Sequence, residues 1–324
     1  MITDIPRPID FHLAGLSYLN IAWENINDLC DNIDNFGKKL LNWDKFKLDE
    51  YVDKSAVGEI KKLHWEDLQR SLSLALSLIE NGVELILKGR ISEKSPYLLI
   101  IDLPRRWPAK CDVSDIPFSE FKTIDASELF KMHNTVCGEK LPQSSCTHFE
   151  RLRARRNKSI HTVDKALKLS IREVYLDLLE SYYYLIKDVP WLQCRFTYLE
   201  GKPESRLLTG DDYYSINFEV YQEMLSAMNF LKSGEIEKYF GLSKARRHIC
   251  PICDNKGFRE CEILPKCAQL DPNLPKSNIL KCVICGEKSK IMRIKCQSAD
   301  CPSNVIYLDK YKNEHSCLVC GESW

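Results

Sequence analysis

The cysteines at one end of the chain constrain its fold most. Ten of the fifteen fall between Cys250 and Cys320. Three C-x-x-C knuckles stand out: Cys250-Pro-Ile-Cys253, Cys282-Val-Ile-Cys285-Gly-Glu and Cys317-Leu-Val-Cys320-Gly-Glu, the last two nearly identical. A fourth pair, Cys296 and Cys301, has C-x4-C spacing. Tetrahedral zinc takes four thiolates, commonly two knuckles from neighbouring hairpins, so four pairs imply two structural zinc sites. The simplest assignment joins Cys250/Cys253 with Cys282/Cys285 and Cys296/Cys301 with Cys317/Cys320; spacing also permits a cross-braced assignment. Cys261 and Cys267 are left over, either as free thiols or, with His248 and His315, as ligands of a third site. No carboxylate or open position accompanies the knuckles, so zinc is assigned no catalysis. In residues 249–324, too short for a large core, the metals would supply folding energy.

So many cysteines in a small secreted chain would signal disulfides, but the start, M-I-T-D-I-P-R-P, does not resemble a signal peptide. No apolar run approaches the roughly 18 residues that span a bilayer. Clustered C-x-x-C pairs then read as metal binding in a reducing compartment, which places the protein in the cytoplasm. Net charge is zero, so no global field announces a nucleic-acid partner. Its distribution is more informative. Arg151, Arg153, Arg155, Arg156, Lys158, Lys165, Lys168 and Arg172 crowd one segment against Asp164 alone.

Apolar periodicity before residue 190 predicts a mainly α fold. Leu16, Leu19, Trp23, Ile26, Leu29, Ile33 and Phe36 mark a helix over residues 11–36. Residues 40–59 read as a charged loop with a short helical turn. Trp65, Leu68, Leu72, Leu76, Ile79, Val83 and Ile86 mark a second helix ending at Lys88-Gly89. Pro104, Pro108 and Pro117 keep the following stretch irregular. Asp125-Ala126-Ser127-Glu128 has the form of a capping box opening a third helix. Thr147 would cap a basic fourth helix, and Asp164 a fifth over residues 165–187. Cys194–Leu199 and Ser205–Thr209, separated by Gly-Lys-Pro, suggest a hairpin, and residues 217–231 a helix stopped near Gly234. The expected organisation is 1–189 helical, 190–248 connecting, and 249–324 a Cys-rich zinc-ribbon module with β structure.

The most basic segment is Arg151 to Thr162, R-L-R-A-R-R-N-K-S-I-H-T. On a helix Arg153, Asn157 and His161 form one i, i+4 row, with Arg156 beside it. An imidazole, a guanidinium and an orienting amide are the parts that move a proton and hold a phosphate. Arg156, Asn157 and His161 resemble the R-x4-6-H motif of the HEPN superfamily, helical domains whose ribonuclease members often carry Asn directly after the Arg. E-N-G-V-E-L-I-L-K-G followed by S-P-Y-L-L-I also looks like the second helix and following segment of such domains. Arg7 and His12 fit the bare spacing too, but they flank Pro8 and follow Pro6 and so are not expected inside a helix.

The resemblance implies an α-helical HEPN-like bundle followed by the zinc ribbon, and a metal-independent endoribonuclease. RNA supplies its own nucleophile, the 2′-OH, so the protein needs proton transfer and charge stabilisation. His161 would act as general base or acid, Arg156 would hold the phosphate, and Asn157 would position either. Arg153, Arg155 and Lys158 would contact RNA. HEPN nucleases form two-fold dimers with both motifs in one cleft, so a homodimer is expected; many are toxins or antiphage-defence effectors. The competing expectation is a non-catalytic module of the same build that binds RNA or a protein.

Overall fold

The computed structural model describes residues 1–45, 54–161, 168–208, 215–243, 246–255, 263–309 and 313–324. Within these, the side chains of 38–45, 54–57, 160–161, 204, 206 and 208 lie outside the description. The chain divides into two compact units, Met1–Lys187 and Asp188–Trp324. The first is helical; the second adds small sheets that carry the cysteine clusters. Among the described residues no helix is long and apolar enough to cross a membrane.

The first unit is built on two long helices, α1 (Pro8–Lys45) and α2 (Lys54–Ser92). They run antiparallel, since Gly89 lies against His12, Gly82 against Gly15 and Leu19, and Phe36 stacks on His64. Most of the expected stripes is buried: Leu19, Trp23 and Ile26 of α1 and Leu72, Leu76, Ile79 and Ile86 of α2 are fully enclosed, whereas Trp65, expected to open the α2 stripe, is exposed. Both helices run longer than expected. Leu40–Lys45 belongs to α1 and Lys54–Glu59 to α2, because lysine, leucine and glutamate continue a helix readily even where apolar periodicity stops. The rest of that expected loop lies outside the described residues. Pro8 also proves compatible with helix: it occupies the first helical position, where no N–H is needed, so His12 does sit inside α1.

The α1–α2 crossing tolerates no side chain. A Cβ on Gly82 would stand 2.9 Å from the carbonyl oxygen of Gly15, and one on Gly15 2.8 Å from that of Gly82. Gly82→Ala is therefore expected to destabilise the unit by about 1–3 kcal/mol of overpacking, less ~1 kcal/mol of recovered helix propensity. Gly37→Ala, in open space within α1, is expected to stabilise slightly. Denaturant unfolding of both variants checks the contrast.

Helix α3 (Ala126–Val136), α4 (Gln143–His161) and α5 (Ile171–Leu185) pack on this pair. Asp125 does occupy the N-cap of α3, without a side-chain cap bond. Helix α4 starts before Thr147, directly after Pro142, and the Thr147 hydroxyl donates to the Gln143 carbonyl instead of capping. Ser170, accepting from the Glu173 N–H, caps α5; the expected Asp164 cap lies outside the described residues. Tyr175 anchors α5 to α1, donating to Asn27 Oδ1 at 3.0 Å beside the edge of Trp23. Gln69 on α2 holds the approach to α5 by bonding both the N–H and the carbonyl of Leu169. Met1 and the proline-rich stretch are joined by a short parallel pairing of β1 (Ile2–Thr3) and β2 (Ile116–Pro117).

In the second unit the expected hairpin is two helices, α6 (Trp191–Gly201) and α7 (Pro203–Leu208). Trp191, Leu192, Arg195 and Leu199 are its buried face, and Arg195 disguised that face in sequence. The guanidinium is fully enclosed and bonded through Nε and Nη2 to both oxygens of Glu223, at 2.9 and 2.7 Å. Glu223 belongs to α8 (Ile216–Phe230), followed by α9 (Ser233–Phe240). Gly234 thus lies inside a helix, and Gly241, at φ 65°, ends it. The module closes with an antiparallel three-stranded sheet, β3 (Ala268–Leu270), β4 (Ile279–Cys282) and β5 (Lys288–Lys290), and a hairpin of β6 (Ile306–Asp309) with β7 (Glu314–Cys317).

Candidate functional site

Helix α4 delivers its four arginines to different surroundings. Arg151 and Arg155, one turn apart, face α5. Arg155 pairs with the buried Asp177 and with Glu173 at 3.2 Å; Arg151 reaches Asp177 at 3.4 Å and Glu180 at 3.3 Å. His148, one turn before Arg151, is buried in the same seam against Ser181 Oγ at 2.8 Å and Glu180 at 3.2 Å. Burial raises the pKa of Asp177, opposed by the charges of Arg155, His148 and Arg151. This network fastens α4 to α5.

Arg156 turns the other way, to α2. Its Nε donates to Glu80 Oε2 at 2.6 Å, and Nη2 donates to the same oxygen. Glu80 is only 5 % exposed, whereas the Arg156 side chain keeps 23 % of its surface. The side chains of Arg153 and Asn157, half-buried on one i, i+4 row, have no hydrogen-bond or ion-pair partner among the described residues. Lys158 is exposed but engaged. His161 is the last residue of α4, and its side chain lies outside the described residues. The helix therefore carries one arginine-amide row without partners among the described residues, beside a second arginine gripped along one edge. Sequence reasoning placed Arg153, Asn157 and Arg156 on neighbouring rows but missed Glu80, whose only signal is a charge between the apolar positions Ile79 and Val83.

The other R-x4-H match is arranged differently. Arg7 is bound to Asp10 at 2.7 Å, and His12 Nε2 lies 3.1 Å from Glu93 Oε1.

In the second unit, eight cysteines gather as two groups of four. The sulfurs of Cys250, Cys253, Cys282 and Cys285 lie within 4.8 Å of one another, as do those of Cys296, Cys301, Cys317 and Cys320. Pairing is sequential, not cross-braced. Contacts of 3.8 Å for Cys250–Cys285 and Cys253–Cys282, and of 3.7 and 3.8 Å for Cys296–Cys320 and Cys301–Cys317, are far from the roughly 2.05 Å of a disulfide. Each group can hold a metal ion. Backbone N–H groups of Cys253 and Ile284 point at Cys250 and Cys282 Sγ, and Asn217 Nδ2 on α8 donates to Cys253 Sγ at 3.4 Å. Such donors favour thiolates. Helix α8, from the stretch assigned no chemistry in sequence, thus backs the first group. Tyr221, one turn later, receives the Lys266 N–H and donates to the Leu264 carbonyl.

Cys267 joins this neighbourhood as a fifth thiol, fully buried with its sulfur 3.6 Å from Cys282 Sγ. His248 and His315 do not accompany it: His315 stacks on Trp324, and His248 pairs through its backbone with Ala268. Cys261 lies outside the described residues.

Comparisons with protein-family models, curated proteins and solved structures return no match to this chain.

Proposed function

We propose that the protein is a metal-independent endoribonuclease of HEPN type whose second unit is a zinc-stabilised ribbon. The observation that carries this reading is the division of labour on α4. Arg151 and Arg155 are engaged by α5, while Arg153 and Asn157 have no partner among the described residues and stand beside Arg156, on the helix that ends at His161. Structural ion pairs hold the helix in place, and the remaining groups are those that bind a phosphodiester and move a proton. Arg156 holds the phosphate and its transition-state charge, Arg153 and Lys158 add cationic contact, and Asn157 orients the phosphate or His161. The 2′-OH attacks, so the products carry a 2′,3′-cyclic phosphate and a 5′-OH. Two copies, related by a two-fold axis, would supply a base and an acid from their two His161 side chains. Such an enzyme acts on RNA in the cytoplasm and fits the role of a toxin or defence effector. Incubating purified protein with total RNA in EDTA and mapping the ends tests it; intact RNA would favour a non-catalytic binding module.

For the metal, zinc fits the thiol geometry. Four sulfurs about 2.3 Å from a tetrahedral ion sit about 3.8 Å apart, matching the 3.7 and 3.8 Å contacts within both groups. Elemental analysis of protein purified without chelator is expected to return two zinc atoms per chain. A value of zero would remove the ribbon from the reading.

A further inference from the structure

The Glu80–Arg156 pair is built unlike a structural one. The same protein holds such a pair for comparison: the fully enclosed Arg195 and the largely buried Glu223 match two nitrogens to two oxygens. At Glu80 both arginine nitrogens converge on Oε2, and Oε1 is buried with no hydrogen-bond partner among the described residues. A bare buried carboxylate oxygen is destabilising and rare, and where one persists it points to a requirement other than stability. The consequence lies on the arginine. A guanidinium has five N–H donors. With Nε and one Nη2 hydrogen committed to Glu80, the opposite edge, Nη1 and the remaining Nη2 hydrogen, meets no partner among the described residues and lies on a side chain that is partly open to solvent. That edge is the parallel two-donor fork that matches two phosphate oxygens.

We propose that Glu80 is the positioning residue of the α4 site: it clamps one edge of Arg156 so that the other edge is presented, already oriented, to one phosphodiester anion of RNA. This rests on the nuclease reading for the identity of the anion, but not for the orientation of the fork. A free arginine must lose its rotamer freedom when it binds; Arg156 has lost it beforehand. Glu80 itself touches no substrate. Its place on α2 ties the aim of the fork to the core helix rather than to the end of α4.

Charge and geometry predict opposite signs here, which makes the test decisive. Removing a carboxylate beside a nucleic-acid site strengthens binding if only charge matters. Loss of a clamp weakens it. The probe is a 2′-O-methyl RNA oligonucleotide, which cannot be cut, titrated by anisotropy against the full chain and its Glu80→Gln, Glu80→Asp and Arg156→Lys variants. Glu80→Gln is expected to weaken binding by on the order of tenfold, with kcat on cleavable RNA falling further than KM changes. Glu80→Asp, which keeps the charge, is expected to recover part of both, and the Glu80→Gln effect is expected to shrink in an Arg156→Lys background. Should Glu80→Gln fail to fold, the graded losses of Glu80→Asp and Arg156→Lys carry the test. Unchanged or tighter binding by folded Glu80→Gln, with RNA still cut, overturns the positioning role and leaves the nuclease reading standing. A probe bound by the parent and lost in Glu80→Gln, with no RNA cleaved, upholds the clamp and overturns the nuclease reading. A parent that neither binds the probe nor cuts RNA overturns both.

Discussion

Replacing His161 by alanine is expected to abolish RNA cleavage while leaving the first unit folded. Loss of a positioned acid–base group costs about 10²–10⁴ in rate, and where both copies of a composite site lose it, no second group stands in. His161 is the last residue of α4 and falls outside the apolar periodicity of the sequence, so the fold is expected to survive its loss. Arg156→Lys is expected to fail as well. A lysine retains the charge but has no second edge, and so cannot satisfy Glu80 and a phosphate together. Arg7→Ala and His12→Ala serve as internal controls with unchanged cleavage chemistry, because their partners are Asp10 and Glu93 at the start of α1 and the end of α2. Cleavage is also expected to stop when the sugar at the cut site is 2′-deoxy. Full activity in His161→Ala, or efficient cutting of DNA, would show that the site or the reaction is another one.

Cys282→Ser is expected to unfold the second unit before the first. Cys282 lies almost fully buried at the end of β4, between Cys253 at 3.8 Å and Cys267 at 3.6 Å, and a serine in its place leaves three thiolates around a four-coordinate ion. Binding of a structural zinc is itself folding free energy, about 10–16 kcal/mol in isolated finger peptides. Its loss is therefore comparable with the whole stability of a typical domain, about 5–15 kcal/mol. Hydrogen exchange is expected to accelerate through β3–β5 and into α8, whose Asn217 bonds Cys253. Helices α1 to α5 are expected to remain protected, because their stripes bury one another. Retention of both metals by Cys282→Ser, or collapse of protection in α1 and α2 with it, would refute this account.

Local chemistry was legible, and so was the simplest grouping of the knuckles; most other non-local pairing was not. The knuckles announce metal binding because the spacing of two thiolates around one turn is written within four residues, and the long helices announce themselves by periodicity. Cys267 could not be placed, since its proximity to Cys282 arises from the register that sets Ala268 opposite Cys282. Arg195 broke the apolar pattern of α6, because a fully paired guanidinium fills a core position that the eye assigns to solvent. The four arginines of α4 look interchangeable in sequence. What separates them are acids elsewhere on the chain, Glu173 at a separation of 18 residues and Glu80 at 76.

The glycine contact between α1 and α2 also acts as a stop against sliding. Shifting one helix along the other by a turn, about 5.4 Å, would carry Leu19 or Ile86, which already border the crossing, into the space that only a hydrogen atom fills. The two helices therefore have one permitted register, as a key has in its ward. Glu80 stands two residues before Gly82, so its height along the bundle is indexed from that stop, and so is the end of α4 to which it holds Arg156.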